Sequence, residues 1–122
     1  MTSVINEIVV DCAAPHRVAA FWAAALDWEP KRERDYVWMS ASGDPADRGL
    51  ILVFVPVPEA KTVKNRVHID VSPRGCDMAE EVERLIALGA SHADVGQGDD
   101  VPWVVLADPE GNEFCVLRRR VD

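Results

Sequence analysis

The sequence predicts an α+β chain made of two βαβββ modules that form a cupped mixed sheet with a central cleft. Three observations predict it. A strand, a helix and three short strands can be read twice in the same order. An aperiodic stretch with two prolines, Pro56 and Pro58, separates the two readings. Short echoes tie the halves together: Ile-Val-Val-Asp at 8–11 matches Val-His-Ile-Asp at 67–70, and Ala-Leu-Asp-Trp at 25–28 matches Ala-Leu-Gly-Ala at 87–90.

The first module spans about 4–56. Residues 4–12 are rich in Val and Ile and read as a strand, with Ile8, Val10 and Cys12 on one face and Glu7, Val9 and Asp11 on the other. Pro15 opens a helix, where its missing N–H costs nothing. Val18, Phe21, Trp22, Ala25 and Leu26 recur at helical spacing as one apolar stripe, and residues 27–30 end it. Short strands follow near 28–34, 36–42 and 50–56, the last two separated by the turn-forming Ser42-Gly43-Asp44-Pro45.

Residues 57–65 read as the linker, and the pattern restarts in a second module over about 66–119. Residues 66–72 form a strand with Val67, Ile69 and Val71 on one face and His68 and Asp70 on the other. Asp77 is a suitable helix N-cap with Glu80 as its capping-box partner. Met78, Val82, Leu85 and Ile86 supply the stripe, and Gly89 suits the C′ position. Strands near 91–95, 102–107 and 113–119 complete the module. Asp108-Pro109-Glu110-Gly111-Asn112 supplies the turn between the last two.

One helix can cover only one face of each sheet. Two sheets curled toward each other would enclose a cleft suited to a small molecule. An ordinary ferredoxin-like α+β domain with no cavity is the alternative that pattern alone leaves open.

Composition narrows the partners. With 13 Lys and Arg against 21 Asp and Glu, the net charge of −8 opposes binding to a phosphate backbone, so nucleic acid is not expected. Arg118-Arg119-Arg120 is the one dense basic run and reads as a solvated strand end. No apolar run approaches the roughly 18–20 residues of a membrane span, so no membrane partner is expected. The opening residues carry no basic stretch followed by an apolar one, which makes the cytoplasm the expected location. Cys12, Cys76 and Cys115 are widely spaced and odd in number, so reduced thiols are expected rather than a disulfide framework. Phosphate-loop, GxSxG and HExxH motifs are absent from the sequence. His16 and His92 read as surface residues.

Lys64-Asn65-Arg66-Val67-His68-Ile69-Asp70, the helix end at 87–90 and WVVLADPEGNEFCVL at 103–117 resemble the glyoxalase-like branch of the vicinal oxygen chelate superfamily. Val10-Asp11-Cys12-Ala13-Ala14-Pro15 with Phe21-Trp22 resembles the opening of that branch. The resemblance implies the glyoxalase/bleomycin-resistance fold, a cleft and a homodimer. It also implies a divalent metal, Zn, Ni or Fe, held by His and Glu on inner strands, although the residues themselves fix no cofactor. The implied ligand positions fall on Glu7, Val55, His68 and Cys115. Glu7 and His68 are therefore the metal candidates, and Cys115 would complete a Glu/His/Cys set for zinc. Val55 and Cys115 otherwise read as pocket wall, and His68 as a histidine bonded to Asp70 or to backbone.

The reading that follows is a glyoxalase-like protein that binds and transforms a small oxygenated organic molecule between the modules. Its chemistry would be lyase- or isomerase-like proton movement. Glu7 would be base or metal ligand, and His68 acid, orienting group or metal ligand. Trp38 and Trp103 would stack on the ligand, or else serve as ordinary packing. True glyoxalase I and extradiol dioxygenase activities are disfavoured, because Val55 and Cys115 break the ligand set. The rival is a non-catalytic binding protein of the bleomycin-resistance type that sequesters a toxic compound. A third reading is an interaction module whose cleft is filled by its own side chains.

Overall fold

The computed structural model of the chain describes residues 1–46, 49–96 and 100–122. The chain divides into two compact units, Met1–Ala60 and Lys61–Asp122. The first unit runs β1 (Ile8–Cys12), α1 (Pro15–Leu26), β2 (Lys31–Glu33), β3 (Tyr36–Ser40) and β4 (Ile51–Pro56). The second runs β5 (Ile69–Val71), α2 (Met78–Leu88), β6 (Ser91–His92), β7 (Trp103–Ala107) and β8 (Glu113–Leu117). Both are βαβββ modules, so the architecture is α+β.

The two sheets have the same plan. Their strand orders are β1-β4-β3-β2 and β5-β8-β7-β6. In each, the first and last strands pair in parallel while the remaining neighbours are antiparallel. A parallel pair needs a long crossover, and in each unit the helix and the two middle strands supply it.

Several strands are shorter than alternation predicts, because pairing rather than propensity ends them. Val4 and Ile5 have strand-forming side chains but lie exposed ahead of the first paired residue, Ile8. β5 is limited to the three residues that face Phe114–Val116 on β8. β6 closes after His92, although the Ala93 N–H still donates to the Val105 carbonyl at 3.1 Å.

Helix ends follow their local chemistry. Pro15 stands in the first turn of α1, and Asp27 ends that helix in the left-handed region (φ 57°), with the Trp28 N–H returning to the Ala23 carbonyl. At α2 the Asp77 carboxylate accepts from the Glu80 N–H at 2.9 Å. Gly89 closes α2 at φ 125°, a conformation that a side chain would strain.

In unit one, Val18, Phe21 and Trp22 of α1 are buried, and α1 packs on β3 and β4. Alternation sends Val37, Met39, Leu52, Phe54 and Cys12 to this covered face, and all five are buried. In unit two, Val82 and Leu85 of α2 are buried, as are Leu106, Phe114 and Val116 on the sheet, and α2 packs on β8. Ile86, expected in the stripe, lies at its exposed edge. Cys12, Cys76 and Cys115 form no disulfide among the described residues, consistent with the expected reduced thiols. Among the described residues no helix is long and apolar enough to cross a membrane.

Candidate functional site

The strand register of the second sheet builds the site. Asp70, Cys115 and Val105 stand opposite one another on β5, β8 and β7, and Trp103 stands opposite Leu117. Phe114, Val116 and Leu106 point toward α2, so the period of two turns this other set away from it. His68 precedes Asp70 by two residues and shares its side. On this helix-free face lies a pocket of about 350 Å³, lined by Lys64, His68, Asp70, Val95, Trp103, Val105, Glu113, Cys115 and Leu117.

A turn and a latch hold its rim. The buried Asp108 carboxylate accepts from the Glu110 and Asn112 N–H groups at 2.9 and 3.0 Å, and Gly111 supplies the left-handed residue (φ 85°) that the turn needs. Asn112 then accepts from the Asn65 side-chain amide at 2.8 Å. Glu113 accepts from the Asn65 N–H at 3.0 Å and from Lys61 Nζ at 2.8 Å. The linker residues 61–65 are thereby tied to the start of β8, which positions Lys64 and His68 at the pocket.

Burial pushes the Glu113 carboxyl up, but hydrogen bonds from Lys61 and the Asn65 N–H outweigh it and hold the group below its ordinary value. A carboxylate depressed in the folded state stabilises the fold above its unfolded pKa, and that stabilisation is lost as pH falls through the folded pKa. Glu113→Gln is therefore expected to cost about 1–2 kcal/mol at pH 7, with the difference shrinking as pH falls through the depressed folded pKa. Urea unfolding across an acid pH series measures it.

The pocket floor carries the chemistry. His68 Nε2 lies 3.2 Å from Asp70 Oδ1, with the two side chains 42% and 48% exposed. An exposed pair contributes little stability, so its weight in the site lies in bringing an imidazole and a carboxylate to one place. Beside it, burial pushes the Cys115 thiol above its ordinary value, and the charge and hydrogen bonding of Asp70 push it further. Lys64 pulls in the opposite direction. In this state Cys115 is a protonated thiol and a poor nucleophile.

His68, Asp70 and Cys115 also form a donor set, their ligand atoms lying within 4.8 Å of one another. Donors around a tetrahedral zinc stand roughly 3.3–3.8 Å apart, given bonds of about 2.0–2.3 Å. Side-chain movement on the order of 1 Å closes the set around a cation. Nitrogen, oxygen and sulfur together suit zinc or iron better than magnesium or calcium, and three ligands leave a position open. The residues fit a divalent metal.

The expected site residues divide between the units. His68, Trp103 and Cys115 line the second unit's pocket. Trp38 and Val55 lie on β3 and β4, on the face of the first sheet turned away from α1. Glu7 is exposed just ahead of β1 and accepts from the Asn6 side-chain amide at 3.2 Å. Asp70 was visible in the sequence only as a partner for His68. Its direct register with Cys115 makes it a candidate ligand, and sequence carries no signal of cross-strand register. Lys64, which the sequence offers with Asn65 and Arg66 either as a contact for an anionic ligand or as solvated linker, lines the pocket, whereas Glu113 enters through a latch that spans 48 residues from Asn65 and leaves no local trace.

Residues 7–117 match the family model described as Glyoxalase-like domain. A search of curated proteins found no matching sequence. Among solved structures, the chain is similar to a mutant of the fosfomycin resistance protein FosX from Listeria monocytogenes complexed with Mn(II) and dihydroxypropylphosphonic acid. That similarity has 15% identity and a TM-score of 0.71 and covers 97% of this chain and 91% of that one. FosX from Mesorhizobium loti is similar at 12% identity and a TM-score of 0.67, covering 95% and 92%. A glyoxalase-related enzyme from Fulvimarina pelagi is similar at 18% identity and a TM-score of 0.59, covering 96% and 88%. At these identities the likeness concerns the fold, that of the vicinal oxygen chelate superfamily.

Proposed function

Since the chain belongs to the glyoxalase-like domain family, we propose that the helix-free face of its second sheet binds a small oxygenated organic molecule at His68, Asp70 and Cys115, with a divalent cation held by these three side chains. The observation that carries this reading is the register that sets Asp70 opposite Cys115, with His68 two residues away on the floor of a pocket. The complex of a fold relative with Mn(II) and a phosphonic acid supports it. When bound, the cation would polarise an oxygen of the ligand as a Lewis acid.

The remaining work falls to the chain. Trp103 and Leu117 offer an apolar wall, and the ring can stack on a planar body. Lys64 places an ammonium group beside the pocket for a developing negative charge. Asp70 fixes the imidazole of His68 through the 3.2 Å contact. Lyase- or isomerase-type proton movement is the chemistry such groups serve.

Acetohydroxamate, a small molecule with two vicinal oxygens, tests the site. In NMR titrations of zinc-loaded protein it is expected to shift the resonances of Lys64, His68, Asp70, Trp103 and Cys115, and to lose that effect in His68→Ala. Shifts confined to other residues overturn the proposal. Glu7 belongs to the other unit, and its role as base is tested separately. Glu7→Gln is expected to leave the unfolding transition within about 0.5 kcal/mol of wild type while lowering turnover by roughly 10²–10⁴-fold. Unchanged turnover removes Glu7 from the mechanism. Tight binding of ligands with no turnover in the wild type makes the chain a sequestering protein instead.

A further inference from the structure

A second hollow, of about 440 Å³, is lined by Pro102, Trp103, Leu117, Arg118 and Arg119. Trp103 and Leu117 also line the pocket that holds His68, Asp70 and Cys115. The two are register partners on β7 and β8, so they stand side by side as one apolar wall shared by both hollows. We propose that the hollows form one groove for an organic anion with a planar or apolar body, whose carboxylate is held by Arg118 and Arg119. This rests on the reading of the second sheet given above and adds the class of ligand.

The arginines are placed rather than trailing. The Arg118 N–H donates to the Pro102 carbonyl at 2.9 Å, and the Val121 N–H donates to the Pro73 carbonyl at 2.7 Å. Backbone anchors therefore hold the segment on both sides of Arg119. A bridge between Arg74 and Val121 and the Gly75 N–H bond to the Asp122 carboxylate add to this. Arg120 is held by Asp122 at 2.7 Å, whereas among the described residues Arg118 and Arg119 have no ion-pair partner.

Charge makes the arrangement selective. A surface of net charge −8 repels anions in general. At this end of the groove two arginines line the hollow, and the fork of a guanidinium matches the geometry of a carboxylate. From Cys115 to Leu117 the wall advances two residues, on the order of 7 Å at strand rise, and Arg118 and Arg119 follow directly on the end of β8. A bicyclic aromatic acid fits that length, with its ring on Trp103 and its far end toward Asp70 and Cys115.

Naphthalene-2-carboxylate and its neutral counterpart 2-naphthalenemethanol test the proposal by calorimetric titration of the full chain. The carboxylate is expected to bind at least tenfold more tightly than the alcohol in low salt. In the Arg118→Ala/Arg119→Ala double variant that preference is expected to disappear while the alcohol binds as before. If this variant does not fold, Arg118→Gln/Arg119→Gln makes the same comparison with the side-chain stems kept. Equal binding of both probes to the wild type overturns the anion assignment, as does a preference that survives the double variant. The underlying reading is tested by Trp103→Ala, which is expected to weaken both probes. Probes that bind regardless of charge but depend on Trp103 remove the arginines and keep the pocket, whereas no binding of either probe removes both.

Discussion

Zinc is expected to bind the purified chain at about one equivalent, and Asp70→Ala or Cys115→Ala is expected to lower its affinity by more than about 100-fold. Losing a supporting partner of a metal ligand already costs roughly 10–100-fold, and these substitutions remove ligands themselves. The acidity of the thiol adds a signature. Burial and the Asp70 charge raise the Cys115 pKa, so at neutral pH the sulfur must release a proton before it can ligate. Protons and cation compete for it, and zinc affinity is therefore expected to rise with pH throughout the range below the thiol's pKa. In Cys115→Ala that part of the pH dependence should vanish. Competition against a chromogenic zinc chelator from pH 6 to pH 8 measures both effects, with circular dichroism confirming that the variants are folded. Stoichiometric zinc held equally well by the Asp70 and Cys115 variants would place the metal elsewhere.

Phe114→Ala is expected to cost about 3–5 kcal/mol, out of the roughly 5–15 kcal/mol that stabilises a typical domain. The side chain is 1% exposed on β8, between Ile69 and Leu106 in the register and on the face covered by α2. Removing the ring forfeits its transfer from water and leaves a cavity that the surrounding side chains fill only in part. Thermal unfolding should fall by roughly 10–20 °C for a chain of this size. The control is Val67→Ala, 82% exposed, which is expected to change stability by less than about 0.5 kcal/mol. The strand neighbouring Phe114 carries Asp70 and Phe114 itself adjoins Cys115, so the same variant should also weaken zinc binding. Intact zinc affinity with lowered stability would mean that the pocket floor does not depend on packing beneath it.

Much of the architecture was legible because periodicity records which face of an element is buried. The alternation of Ile69 and Val71 with Asp70 assigns the two faces of β5 before any strand is paired, whereas Val67, grouped with them by the same pattern, lies exposed ahead of the strand. The caps at Pro15, Asp77 and Gly89 were legible for the same reason: each acts within a few residues of itself. What could not be read depends on partners distant in sequence. The ends of β1 and β5 are set by β4 and β8. The Asn65–Glu113 latch joins a linker that looks featureless to the start of a strand. Asp70 joins the candidate ligand set only because the register puts it beside Cys115, whereas a family pattern directs attention to Glu7, Val55, His68 and Cys115 alone. Trp103 and Arg119 illustrate the remaining case: nothing in a one-dimensional string says that an aromatic on one strand and a basic residue beyond the next share a groove.

The parallel pairing of first and last strands has a consequence for how the chain is made. While a ribosome is still extending either module, its opening strand has neighbours on neither edge, because the strand that will flank it is synthesised last. The first module can seal only when residues 51–56 have emerged, and the second only when residues 113–117 have. Nascent chains halted just short of those points should be sensitive to protease along residues 8–12 or 69–71, and resistance should appear abruptly with the last strand rather than accumulate with length.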